Sequence, residues 1–124
     1  SVVYRSTVNP ADLNLAAGKR IERLQWTDLA QISVERNFAF DHRALILHAA
    51  EQLRQEVSEL KFPAGLIPHE FTLGELQTFA EHVLGRRLDK SSFRRRIAER
   101  DLLRTVEGSM RTGANRPAQL FQFK

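Results

Sequence analysis

An α+β domain of three helices closed by a C-terminal β-hairpin is the fold that this 124-residue sequence predicts. Three observations carry it. Two segments, His42 to about Leu60 and Leu73 to Leu84, place apolar residues at the 3-4 spacing of amphipathic helices. A short turn later, a capped and strongly cationic segment starts at about Lys90. Two β-capable runs, Leu103 to Val106 and Leu120 to Phe123, then flank a polar stretch rich in Gly, Ser, Thr, Asn and Arg.

Residues 1–36 read as a unit separate from 37–124. Val2, Val3, Tyr4 and Val8 form a β-prone stretch ending at the turn signal Asn9-Pro10, and a second strand is expected from Arg20 to Trp26. Thr27-Asp28-Leu29 is placed to cap a short helical turn. Two strands alone are marginal in water, so this third is expected to pack on the rest of the chain, on a partner or, the favoured reading, on further parts of a longer chain.

Asp41 is the expected cap of the first helix, with Leu45, Ile46, Ala49, Leu53, Val57 and Leu60 as its buried stripe. Lys61 to His69 holds two prolines and a glycine, yet Phe62, Leu66 and Ile67 are too apolar to leave in water, so an ordered loop is expected. Thr72 caps the second helix with Glu75 in the capping-box position, and Gly85 ends it. Asp89 caps the third, where Leu88 and Phe93 are spaced as a hydrophobic staple. On that helix Phe93 and Ile97 share the inner side with the stem of Arg100, while Ser91 and Arg95 point away, flanked by Arg94 and Arg96. The closing hairpin is expected to carry a long polar tip from Glu107 to Ala118. Helix, turn, helix and hairpin in this order make a winged helix-turn-helix.

Composition narrows the function. At 42% apolar the chain has material for one modest core, and without cysteine it has neither disulfides nor thiolate chemistry. No apolar run approaches membrane-span length, and a cytoplasmic protein is expected. Residues 1–85 carry 8 Lys/Arg against 11 Asp/Glu, whereas 86–124 carry 11 against 4. A basic third on a mildly acidic remainder points to a polyanion bound by the C-terminal part. Lipid is disfavoured as that polyanion, because the basic stretch has no long apolar face to sink into an interface. His42, His48, His69 and His82 form no spaced ligand set, and neither a phosphate loop nor a nucleophile turn is present. Neither catalysis nor a metal or cofactor is expected of this chain.

The partner expected is double-stranded DNA. After the Asp89 cap the next acidic residue is Glu99, so Lys90, Arg94, Arg95 and Arg96 have few carboxylates within reach. Small Ser91 and Ser92 keep the first turn slim enough to approach base edges. Arg95 and Ser91 are expected on the major-groove floor, with Arg94, Arg96 and Lys90 on flanking phosphates or base edges. Thr72 and the N–H groups beside it would hold a phosphate, and Arg111 and Arg116 would act from the wing. A different class of function, a winged helix that docks an acidic protein, fits the same cationic face.

Four motifs in order bear a family likeness: Phe38-Ala39-Phe40-Asp41-His42, Phe71-Thr72-Leu73-Gly74-Glu75-Leu76-Gln77, Leu88-Asp89-Lys90-Ser91-Ser92-Phe93-Arg94-Arg95-Arg96 and Asn115-Arg116-Pro117-Ala118-Gln119-Leu120-Phe121. Over residues 38–124 the chain resembles the C-terminal winged-helix region of Nudix-related transcriptional regulators of bacterial NAD metabolism. Ser1 to Val8 and Glu22 to Leu29 look like the last strands of a Nudix domain, so the chain is expected to start inside that fold. The resemblance implies a repressor that holds its operator as a homodimer and senses ADP-ribose or a related nucleotide through the part of the Nudix domain that lies upstream. The sequence departs from the family in having Ser91-Ser92 where members often carry larger basic or amide side chains. It also lacks a Nudix box; Arg54-Gln55-Glu56-Val57-Ser58-Glu59 is the nearest imitation, without paired adjacent carboxylates or the following glycine. A regulatory fragment of a Nudix hydrolase is the alternative that the likeness leaves open.

Overall fold

Three helices and a hairpin follow one another along the chain: α1 (His42–Ser58), α2 (Leu73–Leu84), α3 (Lys90–Arg100), β1 (Leu103–Arg111) and β2 (Ala118–Phe123). The computed structural model describes residues 5, 6, 8, 28, 42–112 and 116–124. The strand expected from Arg20 to Trp26 and the Asp41 cap lie outside the described residues. So does most of the stretch from Val2 to Val8, of which Arg5, Ser6 and Val8 are described and belong to no helix or strand.

The core is the set of side chains that the three helices and the hairpin turn toward one another. Val57, Leu60, Phe71, Leu76, Ala80, Phe93 and Ile97 form one buried cluster, with Leu53, Phe62, Ile67, Leu88 and Phe121 among the half-buried residues packed on it. Phe123 joins them, its ring centroid 4.9 Å from that of Phe71 and 5.7 Å from that of Phe62. The loop after α1 is therefore ordered by its apolar residues, as their hydrophobicity required. Phe71 also bridges to β2 through both backbone groups, its N–H donating to the Phe121 carbonyl at 3.0 Å and its carbonyl accepting from Phe121 N–H at 2.7 Å. That pairing ties the start of α2 to the hairpin.

Two expectations for α1 need correction. Leu45 is 41% exposed rather than buried, and Ala50 rather than Ala49 is the buried alanine, because the core covers only the C-terminal half of the helix. The helix also stops at Ser58, and Leu60 lies beyond it in a left-handed conformation with φ of 63°. Lys61 N–H donates to the Glu56 carbonyl and Leu60 N–H to that of Val57, the paired closure of a Schellman end. Left-handed backbone costs a leucine about 1–2 kcal/mol. Burying the same side chain, only 5% exposed, returns about 1.5–3 kcal/mol, which decides in favour of the strained turn.

The wing is longer than expected. β1 runs to Arg111, so Glu107–Arg111 belongs to a strand and not to a loop tip. Register is regular from Leu103↔Phe123 to Thr105↔Phe121, shifts, and resumes at Met110↔Gln119. Gly108, at φ of 73°, takes the positive-φ position of this irregularity. The Gln119 amide fills it, donating to the Val106 carbonyl at 2.9 Å and to that of Ser109 at 3.4 Å. Carbonyls that a bulge leaves unpaired thus find a side-chain donor from the facing strand.

Candidate nucleic-acid interface

Helix α3 is anchored before it is charged. Asp89 accepts from Ser92 N–H at 2.9 Å, and that backbone hydrogen bond, with one from the Ser92 side chain, holds its carboxyl below the usual aspartate range. Phe93 and Ile97, 2% and 4% exposed, hold the inner side in the core. Ser91, Arg94 and Arg95 are exposed on the other, with Lys90 exposed beside them and Ser92 half-buried at the first turn. Lys90 and Arg94 make no hydrogen bond or ion pair among the described residues, and Arg95 approaches Glu99 only to 3.9 Å across open solvent. A pair that long and exposed neutralises little.

Arg96, exposed as well, is placed differently. Its guanidinium is turned toward α1 and donates to the Ser58 carbonyl at 2.8 Å. Arg111 is also engaged, 3.2 Å from the Glu75 carboxylate, so that the wing strand reaches the start of α2. Arg116 is exposed and unpaired among the described residues, next to Gly113–Asn115, which lie outside them.

At the start of α2 the capping box is complete: Glu75 N–H donates to the Thr72 hydroxyl at 3.0 Å, and Thr72 N–H to the Glu75 carboxylate at 3.1 Å. Thr72 is buried and its hydroxyl spent on the cap, so only the backbone N–H groups of Leu73 and Gly74 remain to face a phosphate. Gly85, at φ of 70°, closes the helix by donating to the Glu81 carbonyl. Arg86 and Arg87 follow it, both exposed, and with His82 and Thr78 line an open groove of about 420 Å³. Sequence reasoning gave these two arginines no role; their only signal was the charge of the turn itself. The carboxylates of the Nudix-box imitation are engaged elsewhere, Glu56 with Arg5 at 2.8 Å and Glu59 with Gln55 and Lys61. Among the described residues no group of three His, Cys, Asp or Glu side chains could hold a metal ion, and no helix is long and apolar enough to cross a membrane.

A cationic helix seated on a helix-turn-helix scaffold, with a hairpin beside it, is the arrangement of this chain. Residues 63–123 match the family described as the NrtR DNA-binding winged helix domain. This part of the chain belongs to that family. The NrtR-like likeness extends further along the chain: it is 37% identical over 102 residues to the ADPR responsive transcriptional repressor NtrR of Acinetobacter baylyi, covering 82% of this chain and 40% of that protein. Among solved structures it resembles Shewanella oneidensis NrtR complexed with a 27mer DNA, at 37% identity and a TM-score of 0.64, over 81% of this chain and 45% of that one. A second crystal structure of Shewanella oneidensis NrtR matches at 36% identity and a TM-score of 0.63, over 85% and 47% of the two chains. The chain thus spans less than half the length of these NrtR-type relatives.

Proposed function

We propose that this chain is the operator-binding part of a transcriptional repressor, with α3 in the major groove and the β1–β2 wing on the neighbouring backbone. The observation that carries it is the uncompensated outer face of α3, where Lys90 and Arg94 lack partners among the described residues and Arg95 barely meets Glu99. Arg95 and Ser91 read base edges, Arg94 and Lys90 take flanking base edges or phosphates, and Ser92 keeps the entering turn narrow. The α2 start at Thr72 holds a phosphate through its free N–H groups, and Arg111 and Arg116 act from the wing. A relative named as ADPR-responsive supports a repressor governed by ADP-ribose or a related nucleotide, sensed by a Nudix-like domain of which residues 1–36 are the end. The repressor works in the cytoplasm as a homodimer on a two-fold operator, and catalyses nothing with residues 37–124.

Fluorescence anisotropy with a duplex enriched from a random pool tests this. Replacing Arg95 by Ala lowers affinity by about 1–3 kcal/mol and relaxes preference at one base position. Equal affinity of the unmodified chain and the Arg94→Ala/Arg95→Ala variant would end the proposal.

A further inference from the structure

Three consecutive arginines, Arg94 to Arg96, invite treatment as one cationic patch, but the geometry divides them. Around a helix at about 100° per residue, Arg96 falls roughly 60° from Phe93 and so at the edge of the buried side. From there it reaches the end of α1. The Schellman closure at that end uses the Glu56 and Val57 carbonyls, taken by Lys61 and Leu60 N–H. It leaves the Ser58 carbonyl without a backbone donor, at the negative end of the α1 dipole. Arg96 supplies both the donor, at 2.8 Å, and a positive charge. Arg100, one turn on and on the same side of α3, adds its charge near Glu59, whose carboxyl lies below its usual range chiefly through the Gln55 hydrogen bond and then through Lys61. Phe93 and Ile97 fix the depth of α3 along one line, and Leu88 before it and Leu102 after it hold its ends on the same core. The Arg96 hydrogen bond lies to the side of that line, where it restrains rotation about it.

We infer that Arg96 is a positioning residue: its guanidinium, bound to the Ser58 carbonyl, sets the angle at which α3 presents Ser91 and Arg95, and it contacts no DNA. The inference rests on the DNA-binding function proposed above and says which cations of that interface count. Specific recognition depends on angle, whereas non-specific attraction depends on charge alone, so the two roles give different signatures.

The test uses the full chain, unmodified and as Arg94→Ala, Arg96→Ala and Arg96→Gln, the last keeping an N–H donor without the charge. Each is titrated by anisotropy with the enriched duplex and with a scrambled duplex of equal length, at salt from about 50 to 200 mM. Circular dichroism establishes that each variant is folded at the titration temperature. Expected for Arg96→Ala is a loss of about tenfold in the enriched-to-scrambled affinity ratio, with the salt slope of the unmodified chain. Arg96→Gln should recover part of that ratio at the same slope, while Arg94→Ala should flatten the slope by about 0.9. If either Arg96 variant flattens the slope as Arg94→Ala does and weakens both duplexes alike, Arg96 is a phosphate contact and the inference fails. It fails equally if Arg96→Ala leaves ratio and slope unchanged. Arg96→Gln keeps the slope test open should Arg96→Ala not fold. An unmodified chain that binds neither duplex would overturn the DNA-binding function itself, and this inference with it.

Discussion

Replacing Glu75 by Gln should tighten DNA binding at little expense to stability. In the free protein Glu75 does two things: its carboxylate accepts from Thr72 N–H to complete the α2 cap, and it holds Arg111 of the wing at 3.2 Å. Glutamine keeps the first role, since an amide oxygen serves a capping box as well. The second is lost, but the ion pair is half exposed, and such pairs stabilise by only about 0.2–1 kcal/mol. Losing a negative charge from the first turn of α2 removes a further 0.3–1 kcal/mol or so of dipole stabilisation. Against this, the proposed function brings a DNA phosphate to the α2 start beside this carboxylate, and at a separation of about 4 Å in water its removal would abolish a repulsion of about 1 kcal/mol. It also frees Arg111 to meet a phosphate. Titration of the enriched duplex should therefore give about fivefold tighter binding at low salt and a slope steeper by about 0.9, with urea unfolding showing a loss near or below 2 kcal/mol. Unchanged or weaker binding at the original slope would refute the reasoning, because Glu75 would then be aiming Arg111 at the DNA and not withholding it.

Two further perturbations address the scaffold. The Ser92 N–H lowers the carboxyl of Asp89 in the folded state, so the stability this cap contributes is fully present above about pH 4 and lost as pH falls further through the folded-state value. Asp89→Asn caps without titrating, and its melting temperature should fall less steeply than that of the unmodified chain below pH 4; parallel curves would show that the Asp89 charge contributes nothing. Leu76, 1% exposed, sits in the buried cluster, and Leu76→Ala should lower stability by about 2–5 kcal/mol in urea unfolding. A loss under about 1 kcal/mol would mean that α2, α3 and the wing do not close on one another as the structure has them.

What could be read from the sequence was local. The Thr72–Glu75 box, the Gly85 closure and the Asp89 cap each depend on residues within a few positions of one another, and all three are present as expected. The winged-helix order was legible for the same reason, because hydrophobic period and turn chemistry change together at each boundary. The rest depended on partners distant in sequence. Leu45 fits the 3-4 spacing of α1, yet exposure is decided by what packs opposite, and the core does not reach it. β1 continues past Val106 because Gln119 fills the irregularity around Gly108 from the other strand, which no window over Glu107–Arg111 could reveal. Adjacency in sequence puts Arg96 with Arg94, although its acceptor lies 38 residues earlier.

That regrouping bears on how such an interface discriminates. If all the basic side chains of α3 and the wing were free, attraction to any duplex would rise with their number, while the difference between right and wrong sequences would not. Here Arg96 is engaged by a backbone carbonyl and Arg111 by Glu75, whereas Lys90, Arg94 and Arg116 are unpaired among the described residues. The engaged charges subtract from indiscriminate attraction, and Arg96 adds rigidity where the helix must be aimed. The same fold that gathers the arginines into one third of the chain therefore also limits how many of them act as bare charge. Affinity for a scrambled duplex should follow the free cations, and preference for the operator should follow Arg96.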